Sequence, residues 1–144
     1  MKWITRDQVR VDRVACPWLI RRFIDREAVF EFRQGGTDFA HVPESEGITF
    51  DAYGARYDHH PPLCTFEVLL DAYKLTDPAL RRLGRIVRDA DNKEPGGVPE
   101  GPGLKAVALG FSMLFAKDDM ENNVRQWGVY DALFEYCKSG KLIG

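Results

Sequence analysis

The chain has 144 residues, 44% of them hydrophobic and 29% charged, with a formal net charge of -2. That size and balance fit one ordinary globular domain over residues 1–144 and exclude disorder along the whole length. Proteins that bind nucleic acid mainly through phosphates are usually basic, so direct nucleic-acid binding is disfavoured.

In chain order, Trp3-Ile4-Thr5 reads as a short strand, and a helix is expected from Asp12 through Ile24. Asp12 or Ala15 starts it, because Pro17 suits a first helical turn better than an interior. Val14, Trp18, Leu19 and Phe23 recur at helical spacing and mark its inward face. Ala28 to Arg33 and Ile48 to Ala52 alternate apolar with polar, as half-buried strands do, with a turn at Gln34-Gly35-Gly36. Phe66 to Leu75 is a helix with Thr65 as its N-cap, and Asp77-Pro78 opens another whose stripe is Leu80, Leu83, Ile86, Val87 and Ala90. Lys93 to Gly103 is a Pro/Gly loop. Leu104 to Ala116 is nearly all apolar, which predicts a central helix buried on most sides. Asp118-Asp119 starts the last helix, Val124, Trp127, Tyr130, Leu133, Phe134 and Cys137 give it a stripe, and Gly140 a stop. The fold class is α+β, mainly helical: about five helices packed with a small N-terminal β-sheet.

No apolar run approaches the roughly 20 residues that span a bilayer. Met1 to Arg10 lacks the apolar core of a signal peptide. Three scattered cysteines are too few for a secreted disulfide framework. A cytoplasmic location without a membrane partner is therefore expected.

Three groups carry chemistry. The first is Tyr57 to Thr65, where His59, His60 and Cys64 share a loop; imidazole and thiolate suit transition metals, but the missing second Cys or His pair means that other ligands must be carboxylates from elsewhere. The second is Arg88-Asp89-Ala90-Asp91 near a helix C-terminus, where carboxylates oppose the macrodipole and need compensation. Arg85 can pair with Asp89 one turn away. The alternative has His60, Glu67 and Asp89 around a divalent transition metal such as iron, zinc or manganese, with His59 and Asp91 as further ligands; a regular helix points Asp89 and Asp91 apart. The third is Arg13, Arg21 and Arg22, whose planar guanidinium forks match oxyanions. Arg13 and Arg21 can share a face, with Asp12 orienting one of them. Cys64 and Cys16 are the thiols open to redox work; Cys16 stands near the expected helix start, and a free cysteine is more often a small buried residue. No dinucleotide, phosphate-loop, nucleophile-elbow or zinc-protease motif is present.

The runs Trp3-Ile4-Thr5-Arg6 and Val11 to Asp25, VDRVACPWLIRRFID, resemble the opening signature of the ChrB C-terminal domain, a chromate-resistance protein family. The likeness continues through His60 to Glu67 (HPPLCTFE), Ile86 to Lys93 (IVRDADNK) and Val129 to Leu133, and covers roughly Trp3 to Cys137. The family often has a histidine where this chain has Arg88, which removes one potential metal ligand. Members with an additional N-terminal region are regarded as chromate-responsive regulators. Since this chain opens on the C-terminal signature, the resemblance implies a sensing or ligand-handling module rather than a repressor, with a small oxyanion such as chromate as its partner. Two other readings stay open: a metal-dependent hydrolytic or redox enzyme, and a non-catalytic interaction module in which Gly110 to Phe115 makes a homodimer.

Overall fold

The computed structural model describes residues 1–139; the helix stop expected at Gly140 lies outside them. Five helices accompany a three-stranded, all-parallel sheet at the N-terminus. The sheet consists of β1 (Lys2–Arg6), β2 (Val29–Arg33) and β3 (Ile48–Thr49), in the order β2-β1-β3. The helices are α1 (Asp12–Leu19), α2 (Thr65–Ala72), α3 (Pro78–Asp91), α4 (Gly101–Leu114) and α5 (Asp119–Ser139). No helix among the described residues is long and apolar enough to cross a membrane.

β1 is central, and its Trp3, Ile4 and Thr5 are all buried, as a parallel strand covered on both faces requires. Trp3 and Thr5 turn toward the helices. Ile4 packs instead with Phe39 and Ala52 in a smaller cluster on the other face. β1, α1 and β2 form a crossover unit, in which Trp3 pairs with Phe30 and Thr5 with Phe32. Trp18 anchors the helical layer: it stacks on Phe66 at 11° and meets Phe23, Tyr130 and Phe134. Asp77 caps α3 by accepting from the Ala79 N–H at 2.8 Å, and the expected stripe from Leu80 to Ala90 is fully buried.

Several expectations are corrected. α4 is not central: only Gly101, Leu104 and Ala108 are buried, while Met113 is 79% and Leu114 75% exposed. Its apolar composition reflects a surface face. In α5, Val124 is likewise exposed, although Trp127, Tyr130 and Cys137 are buried. Pro17 sits inside α1, which starts at Asp12; so short a helix gives up little for one missing amide. Cys64 rather than Thr65 takes the N-cap of α2, and that helix ends at Ala72. The Gly35-Gly36 turn opens a connection to a strand on the far side of β1, so β2 and β3 are not neighbours.

α1 runs on as a π turn over Ile20–Ile24, closed by the Asp25 N–H on the Ile20 carbonyl. The wider turn breaks the regular spacing that would have aligned Arg13 with Arg21.

Candidate functional site

Beyond the carboxyl ends of β1 and β3, two segments leave the sheet: the approach to α1, and the long loop from Asp51 to Cys64 that delivers α2. Parallel sheets place their ligands at such ends. Asp12, the first residue of α1, is only 2% exposed. Its carboxylate accepts from the Thr65 and Phe66 N–H groups at 2.9 and 3.2 Å and from the Cys16 thiol at 3.3 Å. It thereby caps α2 from another helix. Asp51, at φ 46°, accepts from the Thr65 hydroxyl at 2.7 Å and faces the Arg13 guanidinium at 3.9 Å.

These carboxylates crowd one another. Burial, followed by repulsion from Asp51 and Asp91, pushes the Asp12 carboxyl well above the usual range. Burial lifts Asp51 to about 6 against the pull of Arg13 and Thr65. Asp91 is also raised, chiefly by desolvation, with the Asp12 backbone, Arg13, His59 and Lys105 drawing it back. The Cys16 and Cys64 thiols are pushed up by burial and by nearby carboxylates. Thiols held in the protonated form are slow nucleophiles.

A cleft of about 240 Å³ opens beside this cluster, between the histidine loop and the end of α3. His59, Pro61, Pro62, Leu63 and Cys64 form one wall, and Arg88, Asp91 and Asn92 the other. The Pro61–Pro62 peptide is cis, and His60 and Leu63 exchange backbone hydrogen bonds across it. Behind the cleft wall stands Glu67 of α2. Glu67 Oε1 accepts from the Cys64 N–H at 3.3 Å and lies 3.4 Å from Arg88 Nε. Glu67 therefore positions the guanidinium.

The expected site residues divide. His59, Cys64 and Asp91 meet at the cleft, with Glu67 held behind Arg88. His59 is exposed, and its Nδ1 lies 3.0 Å from Asp58. His60 is exposed at the loop tip and does not line the cleft. Asp89 turns the other way, where it accepts from the Gly96 N–H and packs against Gly101, at which a Cβ would fall 1.7 Å from Oδ2. It makes no ion pair with Arg85 among the described residues. The compensation for the α3 C-terminus comes instead from Lys105, whose ammonium donates to the Asn92 and Lys93 carbonyls. Among the described residues, no group of three or more His, Cys, Asp or Glu side chains is arranged to hold a metal ion.

The three arginines expected to share an oxyanion are separated. Arg13 lies against Asp51 and the Gln8 carbonyl. Arg21 donates to the Ala28 carbonyl and lies over the Phe30 and Trp127 rings. Arg22 forks onto Asp131 at 3.2 and 3.0 Å. Each is occupied within the fold. Sequence reasoning missed the roles of Asp12, Asp51 and Thr65; the available signal was an acidic residue at the start of α1 and another just past a strand, both in line for the open N-terminus of α2.

Comparison with known proteins gives a family. The model of the family described as ChrB, C-terminal domain matches residues 3–137. Protein ChrB of Cupriavidus metallidurans is 40% identical over 121 residues, which cover 82% of this chain and 35% of that protein. The chain thus spans about a third of the length of this curated relative. No solved structure matches.

Proposed function

The chain belongs to the ChrB C-terminal domain family, and from that premise we propose that it is a ligand-handling module of chromate resistance that receives a small oxyanion in the cleft between the His59–Cys64 loop and the end of α3. The observation that supports this reading is the state of Arg88. Among the described residues its one ion pair is through Nε, to Glu67, and its side chain stays 30% exposed on the cleft wall. Glu67 is itself fixed by the N-cap of α2. A guanidinium held by one edge keeps its two terminal nitrogens for a tetrahedral anion, and Arg88 is the one such fork in the cleft. The His59 imidazole and the Asn92 amide line the same space as further donors.

Asp91 sets the condition. Its carboxylate repels an anion when ionised, and burial raises its pKa from the ordinary carboxylate value, which eases its protonation beside a bound anion. Oxyanion binding should therefore strengthen as the pH falls and Asp91 takes up its proton.

Titration calorimetry on the intact chain tests the reading. Chromate and sulfate bind the wild type. Arg88→Ala removes the heat, and Arg21→Ala leaves it unchanged. An intact protein with no affinity for either anion at pH 6 or 7 refutes the proposal.

A further inference from the structure

Arg6 has no role in the cleft just described. It ends β1 on the same side of the strand as Ile4, facing the small cluster of Phe39 and Ala52 rather than the helices. Its side chain is half-buried and its Nε wholly buried, and it has no hydrogen-bond or ion-pair partner among the described residues. A buried guanidinium N–H without an acceptor costs free energy, and here that atom is Nε. Arg33, at the carboxyl end of the neighbouring strand β2, pairs with both Glu31 and Glu46.

The surroundings are shaped to this side chain. Arg6 Nη2 lies so close to Gly35 that a Cβ there would stand 2.6 Å from it. Beside it opens a cavity of about 280 Å³, lined by Arg6, Thr37, Asp38, Phe39, Ala52 and Tyr53. Phe39 and Ala52 are buried and give an apolar wall, while Tyr53 stands 96% exposed at the rim. Two carboxylates stand nearby, each with a partner of its own inside the fold: Asp38, on the lining, lies 2.6 Å from His41 Nδ1, and Asp7 accepts from the Gly35 N–H through one oxygen. The cavity is far larger than one inorganic anion. It lies at the carboxyl end of the central strand of a parallel sheet, where such sheets take ligands.

We infer that this cavity binds a small molecule carrying an oxyanion on a flat apolar ring, with the oxyanion on the Arg6 guanidinium and the ring against Tyr53. The site is separate from the Arg88 cleft and does not rest on the function proposed for it.

The test is NMR observation of the arginine Nε–H signals of the intact 15N-labelled chain during titration with phenyl phosphate and with inorganic phosphate. The Arg6 signal, assigned by its loss in Arg6→Gln, should move saturably with phenyl phosphate and do so equally in Arg88→Ala. Tyr53→Ala, at an exposed position that the fold does not need, should weaken phenyl phosphate roughly fivefold and leave inorganic phosphate unchanged. Should Arg6→Gln not fold, Arg6→Lys, which keeps the charge, supplies the assignment instead. An Arg6 signal that stays still, or one that needs Arg88 to move, overturns the site. Equal affinity for the two phosphates overturns the ring.

Discussion

Asp51 gives the sharpest test of the electrostatics. Its carboxyl is pushed up from 3.8 to about 6, so the folded protein holds this proton more tightly than the unfolded chain does. A shift of about two pH units at about 1.4 kcal/mol each makes the ionised form cost on the order of 2–3 kcal/mol in the fold. The sign follows directly: Asp51 favours the folded state below about pH 4, and that contribution is lost as the pH rises through about 6. Asp12 and Asp91 are displaced in the same direction, so neither opposes the trend. Carboxyls held low by partners, such as Asp131 beside Arg22, act only at lower pH. Urea denaturation between pH 4.5 and 7.5 should therefore show stability falling toward neutrality, at constant m-value. Asp51→Asn keeps an acceptor for the Thr65 hydroxyl, suits the left-handed backbone at this position and carries no charge. It should flatten the profile and gain about 1–2 kcal/mol at pH 7, after the loss of the Arg13 contact. Wild-type stability that rises from pH 5 to 7, or a less stable Asn variant with the slope unchanged, refutes the reasoning.

Asp12→Ala leaves the Thr65 and Phe66 N–H groups bare at the buried start of α2. At about 1–3 kcal/mol for each group, less the relief of removing a buried charge, denaturation should show a loss of about 2–4 kcal/mol. A loss below about 0.5 kcal/mol would mean that α2 is capped without it. On α4, Leu114→Glu should change stability by less than about 0.5 kcal/mol, because the side chain is already largely in water. Light scattering tests whether the same face pairs two copies. A mass of two chains that falls to one in Leu114→Glu supports the expected homodimer, and one chain from the outset removes it.

Much of the fold was legible because local chemistry and tertiary need agreed. Asp77-Pro78 marks the start of α3 to the residue, and the period-3.6 stripe behind it is buried throughout. Where they parted, the sequence misled. The residues of α4 are apolar enough for a core helix, but composition cannot say which faces find a partner. Alternation in β2 and β3 marks strands without ordering them, and the order β2-β1-β3 separates two segments joined by a glycine turn. The site was half legible for a similar reason. The histidine loop and the end of α3 do meet, yet two residues along a helix rotate a side chain to the far side. Asp91 reaches the cleft while Asp89 holds the start of α4. Asp12 and Thr65 lie 53 positions apart, and no spacing rule joins them.

The central claim is the place of the oxyanion. Crystals grown at pH 6 and soaked in chromate would locate it by the anomalous signal of chromium. The account predicts a peak in the cleft, within hydrogen-bond reach of the terminal nitrogens of Arg88 and close to His59. A bare cleft, with chromium found only at Arg6, at Arg21 or Arg22, or nowhere, would contradict it.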